Sequence, residues 1–425
     1  MNIVLKLCKK MISIIINILY NYIIKKISGI LVLAFLINFS GCNHDKNSNS
    51  SNKILLLSLL SLEKSVNFNW NLPVGFPVPK VPSTNPMSES KVELGKFLFY
   101  DKRLSGNFTQ SCATCHLQSL AFSDGGTVGI GSTGISHPRN SQGLTNTAYM
   151  SRLTWMNSNL KTLEQQVRLP LFGTTPVELG LGETDYIERI KADSKYLDLF
   201  NKAFGGGIEN INEQNIRYSL SSFVRILISG NSPYDKYFFQ NQEGNLSESQ
   251  KNGLFLFNSK ITNCSKCHTD FNFSDSTSFE GSNIDIGKYH DNGIKSTLDY
   301  NNLPLNERGL FELTEKSGDI GKFRTPSLRN IALTYPYMHD GSIHCDLSLR
   351  PAIGIYSEAC ARDALGKVIN HYMSGGKNPS NKETNLIKPF SLTANEKEDL
   401  INFLLSLTDL EFITNQKISN PFDSK

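Results

Sequence analysis

Cys112-Ala113-Thr114-Cys115-His116 and Cys264-Ser265-Lys266-Cys267-His268 are the two stretches that decide how this 425-residue chain is read. In each, two thiols stand a helical turn apart and a histidine follows at once. That spacing lets both sulfurs form thioethers to one porphyrin while the imidazole swings under its iron, the attachment pattern of c-type haem. A lone C-x-x-C could equally be a redox dithiol or half of a zinc site. Here both copies carry the histidine and no further closely spaced cysteine pair completes a four-cysteine zinc site, so the spacing predicts two covalently attached haem c groups, with Cys112, Cys115, Cys264 and Cys267 as attachment points and His116 and His268 as axial ligands.

Working outward, Ser88-Glu89-Ser90-Lys91-Val92-Glu93-Leu94-Gly95-Lys96-Phe97-Leu98-Phe99 precedes the first motif, and Ser247-Glu248-Ser249-Gln250-Lys251-Asn252-Gly253-Leu254-Phe255-Leu256-Phe257 precedes the second. With one residue of slippage they are the same unit. Each opens on a helix-capping serine, and Ser90 with Glu93 reads as a capping box ahead of an apolar face. The fold expected is mostly α, with two cytochrome c-like haem domains in tandem by internal duplication. They span 68–245 and 246–425, with the boundary near Gln242 to Leu246. Ile211 to Ile228 has apolar residues at helical spacing, and Thr393-Ala394-Asn395-Glu396 is a further capping box. The Gly-, Pro- and Asn-rich segments 71–86, 124–147 and 281–309 read as long loops around something large.

With 39% hydrophobic and 19% charged residues the chain has enough apolar material for two globular domains. A net charge of +4, with no long basic block after the leader, gives no sign of nucleic acid as a partner. The first 41 residues differ: Met11 to Ile24 is almost wholly apolar, Lys25-Lys26 interrupts, and Ile27 to Phe39 is apolar again before Ser40-Gly41-Cys42. This reads as an export signal over 1–41 ending in a relaxed lipobox, with Cys42 lipidated and anchoring the protein to a membrane; an uncleaved anchor is the alternative. Cys8 then has no mature role. Residues 42–67 read as an Asn- and Ser-rich tether with a short apolar segment. Either way the body belongs to the cell envelope, facing the periplasm or exterior.

Around these motifs the sequence resembles the bacterial di-haem cytochrome c peroxidase and MauG superfamily over residues 68 to 415. The resemblance is carried in order by Leu104-Ser105-Gly106-Asn107, Arg139-Asn140, Leu163-Glu164-Gln165-Gln166, Pro176-Val177-Glu178, Phe323-Arg324-Thr325-Pro326-Ser327-Leu328-Arg329-Asn330 and Pro336-Tyr337-Met338-His339-Asp340-Gly341. His137-Pro138-Arg139-Asn140, Leu153-Thr154-Trp155, Pro170-Leu171-Phe172-Gly173 and Phe271-Asn272-Phe273-Ser274-Asp275 are similar to the MbnH-like di-haem enzyme branch.

The resemblance implies roles residue by residue. The His116 haem would meet hydrogen peroxide and the His268 haem would handle electrons. Glu178 would be the acid-base group that promotes cleavage of the O–O bond, and Gln166 would orient peroxide or water. Trp155 would stand between the haems as a hopping station, although its Thr154-Trp155-Met156-Asn157 context departs from the family's Phe-Trp-Asp-Gly. Classical peroxidases carry a dissociable histidine eight residues before the Asn of Arg-Asn; here that place is Ser132, which implies an open first haem. His137 is the fallback ligand there, and a loop or structural role is the reading favoured for it.

Tyr372, in His371-Tyr372-Met373-Ser374-Gly375-Gly376, falls where the family places the distal ligand of the second haem, with Met373, His371 and Met338 as rivals. A tyrosinate there favours the oxidised iron and so a charge-storing haem. Asn140, Thr334 and Pro336 match the family's calcium site, and an all-oxygen set suits that hard cation. His290 and His339 are expected in supporting roles. The chain is longer than the family pattern between Gly341 and Tyr372, where Cys345 and Cys360 can close a disulfide in an oxidising compartment. The function these features imply is peroxide-dependent oxidation, with tryptophan of a secreted partner protein, converted towards kynurenine, as substrate. Its rivals are a peroxide scavenger fed by a small c-type cytochrome or copper protein, a non-catalytic electron-transfer lipoprotein, and a binding lipoprotein with structural haems.

Overall fold

The longest helices begin where short polar side chains satisfy the first free N–H groups. The computed structural model describes residues 68–182, 185–282, 287–377 and 386–423, and the export signal, Cys42 and the 42–67 tether lie outside the described residues. Its longest helices are α1 (Glu89–Tyr100), α2 (Ser194–Phe204), α3 (Glu213–Arg225), α4 (Glu248–Asn258), α5 (Glu358–Met373) and α6 (Ala394–Leu405). Capping boxes open α4 at Ser247 with Gln250 and α6 at Thr393 with Glu396. The first helix opens on Ser88, the serine that begins its stretch, which accepts from the Lys91 N–H; the capping box expected of Ser90 with Glu93 is not formed. The Lys91 ammonium folds onto Asn85 Oδ1 (3.2 Å) and the Pro86 carbonyl (2.8 Å) just ahead of the helix.

The fold is mostly helical. Its named strands among the described residues, β1 (Tyr289–His290) and β2 (Phe323–Arg324), form a two-residue antiparallel pair with Tyr289 opposite Arg324. No helix among the described residues is long and apolar enough to cross a membrane.

Phe68–Lys425 packs as one compact unit around two main apolar cores. In the first, α1 lies on α3, joining Leu94, Leu98 and Phe99 to Leu220 and Phe223. In the second, α4 lies on α6, joining Phe257 to Leu400, Phe403 and Leu404, with Ala361 and Leu365 of α5 alongside. Both helix pairs use the same device. A Cβ at Gly95 would overlap the Ser219 carbonyl and the Phe223 side chain, and one at Gly253 would overlap the Asp399 carbonyl and the Phe403 side chain. Phe412 and Ile418, from the chain's last described stretch, return to the first core. Cys345 and Cys360 are joined as a disulfide that ties the longer connection to the first turn of α5.

The close helix contact gives a direct test. Gly95→Ala should destabilise the holoprotein by about 1–3 kcal/mol through overpacking, read as a lower Tm. Gly244→Ala, where an added methyl meets no atom within 4 Å, should stay within about 0.5 kcal/mol of the parent.

Candidate active site

Cys112–Cys115 form a single helical turn, stabilised where the Ser111 N–H donates to Thr114 Oγ1 (3.0 Å), and the His116 N–H bonds back to the Cys112 carbonyl (3.0 Å). In the second motif the His268 N–H bonds to the Cys264 carbonyl (2.9 Å). Each imidazole is then held by a carbonyl a few residues on: His116 Nδ1 on Phe122 at 2.8 Å and His268 Nδ1 on Phe273 at 3.1 Å. Both phenylalanines have left-handed backbone, φ 61° and 52°, a conformation unusual outside glycine that turns their carbonyls onto the rings. A proton on Nδ1 leaves Nε2 with its lone pair, and burial pulls both histidines below their ordinary range, keeping them neutral.

Cys112, Cys115 and His116 line a cavity of about 310 Å³, and Cys264, Cys267 and His268 line another of about 210 Å³. Burial pushes the Cys112 and Cys115 thiols up to about 12. A reactive dithiol needs the opposite shift, so the donor sets fit haem attachment. Cys267, Asp275 and His290 also lie within 4.8 Å of one another. Cys267 is already committed to the second motif, and His290 Nε2 is bonded to Asp275 Oδ2 at 2.7 Å, which gives His290 the supporting place expected of it.

The first cavity gathers Glu178, Gln166, Trp155, Asn140, Thr334 and Pro336. Glu178 is set on an extended turn whose carbonyl accepts from the Ser132 N–H at 2.7 Å. Its side chain is 42% accessible, through the cavity it lines, yet is otherwise walled in by protein. Desolvation there pushes its carboxyl up to about 7. Gln166 is fixed indirectly. Its short helix, Leu163–Gln166, is capped by Thr162, and its Glu164 accepts two bonds from Arg225 (2.8 and 3.0 Å) and one from Asn85 (2.7 Å). Arg225 and Glu164 are both buried, so removing either would strand a charge at a cost of about 3–5 kcal/mol. His137 does more than sit in a loop: it lines the same cavity, with Nδ1 4.0 Å from Glu178 Oε1.

Around the second cavity Tyr372 and Met338 both reach the wall, while the other rivals point elsewhere. His371 Nε2 donates to the Asn292 carbonyl (3.0 Å), and Met373 packs against the second core. Burial pushes the Tyr372 phenol up to about 12, an effect opposed by its hydrogen bond with the Asn292 side chain. His339 stacks on Phe323 with ring centroids 3.6 Å apart, and burial holds it neutral, at about 3.

Trp155 and Met338 line both cavities, as do Arg324 and Pro326. The indole Nε1 donates to the Asn140 carbonyl (2.8 Å), and the Trp155 carbonyl accepts from the Arg324 N–H (2.7 Å). Arg324 is buried, and desolvation lowers it to about 10. The Asn140 amide donates to the Gly126 (2.9 Å) and Thr127 (3.3 Å) carbonyls, which turns its oxygen the other way. Sequence reasoning singled out neither Asn292 nor Arg324 and ranked Met338 only as a rival. Arg324 lay in plain view within Phe323-Arg324-Thr325-Pro326, whereas nothing local marks Asn292.

Residues 89–243 match the di-haem cytochrome c peroxidase family. A methylamine utilization protein MauG from Methylorubrum extorquens is 33% identical over 327 residues, covering 77% of this chain and 80% of that one. Cytochrome-c peroxidase IdrP1 from a Pseudomonas species is 33% identical over 358 residues, 78% of this chain and 84% of its own. The crystal structure of a MauG-like protein associated with microbial copper homeostasis is 38% identical and superposes with a TM-score of 0.74, covering 84% of this chain and 99% of that one.

The Glu178 shift has a sign that can be checked. Its carboxyl is protonated below pH about 7 and ionised above it, so an infrared band of a buried carboxylic acid should fade as pH rises through 7 and be missing from Glu178→Gln. Between its ordinary 4.5 and about 7 the folded chain keeps a proton that the unfolded chain has released, so this group's contribution to stability falls as pH rises. A band that fades near 4.5 would refute the assignment.

Proposed function

The chain belongs to the di-haem cytochrome c peroxidase and MauG family of peroxide-dependent oxidoreductases, and from that premise we propose that it oxidises a protein partner at a distance from the peroxide site. The observation that carries this reading is Glu178, a carboxyl poised near neutrality in the wall of the cavity that also holds His116. When bound, the two haem c groups supply redox-active iron on either side of the shared wall.

The chain's own residues then do the following. His116 and His268, each locked through Nδ1, would hold the haem irons through Nε2. Glu178 takes the proton from the near oxygen of hydrogen peroxide and returns it to the far one, so the leaving group departs as water in place of hydroxide. A group near 7 can do both at neutral pH. Gln166, held through Glu164 and Arg225, orients peroxide by hydrogen bonding. Ser132 offers no strong iron ligand, which leaves the first site open. Tyr372 would be the chain's donor to the second haem, and the oxidisable Trp155 indole, in the wall of both cavities, would carry charge between the two sites.

The substrate in this reading is a tryptophan on a secreted partner protein, a class suggested by the MbnH-like sequence features and the likeness to the copper-homeostasis protein. The two halves derive from one duplicated cytochrome c unit, a view supported by the matching contacts of Gly95 and Gly253. Calcium would be held by the Asn140 side-chain oxygen and the Thr334 and Pro336 carbonyls, three residues that share one cavity wall. The paired Cys345 and Cys360 support a body outside the cytoplasm, anchored through Cys42. A second reading, a scavenger fed by a small cytochrome or copper protein, draws on Met338, whose thioether also reaches the second cavity.

Glu178→Gln should lower the rate of reaction with peroxide by about 10²–10⁴-fold while the haem spectrum stays that of a di-haem protein; an unchanged rate would remove Glu178 from the chemistry. Trp155→Phe should leave peroxide consumption intact in rapid-mixing experiments and slow the spectral response of the second haem. Incubating the protein with peroxide and the secreted product of a neighbouring gene should add oxygen mass to a tryptophan peptide of that product. An unchanged mass, with fast turnover of reduced cytochrome c, would favour the scavenger.

A further inference from the structure

Asn292 shares the second cavity with the two side chains able to compete for the second iron. It lines the second cavity with Tyr372 and Met338. Its Oδ1 accepts from the Ile294 N–H (3.2 Å), and this bond decides the orientation of the amide: Nδ2 must face the cavity. There it donates to Met338 Sδ at 3.2 Å, with Tyr372 in the lining of the same cavity. One of the two N–H groups of the amide is thus given to the thioether.

The backbone around Asn292 leaves it little freedom. Its carbonyl receives His371 Nε2 from the last turn of α5, one residue before Tyr372. The Gly293 carbonyl accepts from the Lys377 N–H at 2.6 Å, and the Gly293 N–H donates to Asp291 Oδ1 at 2.8 Å. Gly293 has a positive φ of 72° and lies against Gly376, where an added Cβ would come within 3.1 Å of the neighbouring Cα. Loop and helix end are thus clamped together, and the amide is held in register with Tyr372.

A hydrogen bond on a thioether, a weak donor to metals, occupies a sulfur lone pair that ligation would need, and this leaves Tyr372, in the same cavity, to take the iron. We propose that Asn292 is a positioning residue that selects Tyr372 over Met338 as the distal ligand of the second haem. The inference rests on the reading of Tyr372 as that ligand, and it makes the identity of the ligand a property of a residue 80 positions earlier in the chain.

The test compares five holoproteins, the parent, Asn292→Asp, Asn292→Leu, Met338→Leu and Asn292→Asp with Met338→Leu, by optical and electron paramagnetic resonance spectra and by redox titration. The parent should show tyrosinate-to-iron charge transfer. Asn292→Asp keeps the oxygen that accepts from Ile294 but has no N–H to give, so it should lose the tyrosinate band and gain the near-infrared thioether-to-iron band, with a raised potential for the second haem. Met338→Leu should keep the tyrosinate band, and Asn292→Asp with Met338→Leu should show neither band. A purely structural role for Asn292 would lower Tm without producing a thioether band that depends on Met338. A parent with a thioether band would overturn the reading of Tyr372 and the inference with it. A parent with a tyrosinate band that persists in both Asn292→Asp and Asn292→Leu would overturn the inference alone.

Discussion

Everything in this molecule depends on two hydrogen bonds, from the Nδ1 atoms of His116 and His268 to the carbonyls of Phe122 and Phe273. A short covalent anchor of two cysteines fixes only one edge of a porphyrin; the imidazole must be fixed independently, or the ring would turn about its Cα–Cβ bond. The chain achieves this by forcing two phenylalanines into left-handed backbone, a conformation that persists only where surrounding packing over-determines it. Phe122 and Phe273 are themselves buried in the first and second cores. Packing of the helices is therefore what keeps the two imidazoles aimed.

Burial acts on the two sites with opposite chemical results. In the first, removal of water raises a carboxyl to near neutrality, so that a single group can both accept and give a proton. In the second, removal of water raises a phenol to about 12 while one amide opposes the rise. The same physical cause yields a carboxyl poised near neutrality on one side and a phenol that holds its proton tightly on the other. The difference lies in what the surroundings offer each oxygen: Glu178 borders an open cavity with His137 nearby, whereas Tyr372 is enclosed and faces a fixed donor.

The attachment motifs and the capped helices were legible in the sequence because their determinants lie within a few residues of one another. Thr393 with Glu396 is such a case, as is Ser247 with Gln250. The capping serine that opens α1 was legible too, but the box expected of Ser90 with Glu93 was not formed, because the helix is already capped at Ser88 and Ser90 lies within its first turn. Glu178, Gln166 and Trp155 were reached through resemblance, and the structure brings them to one cavity wall. Asn292 escaped notice because its partners, Met338 and Tyr372, are 46 and 80 residues away. Long-range polar contacts of this kind leave no periodicity in the chain.

Trp155, Arg324, Pro326, Ile331, Tyr337 and Met338 form a party wall, each facing both cavities. A change at any of them alters two environments at once, so its effects on the sites are not separable and should not add with those of its neighbours. Natural variation in such a wall has to proceed by paired, mutually permissive substitutions. The outer lining, by contrast, can drift one residue at a time: a lineage can retune Glu178 singly, but it can remake the partition only as a set.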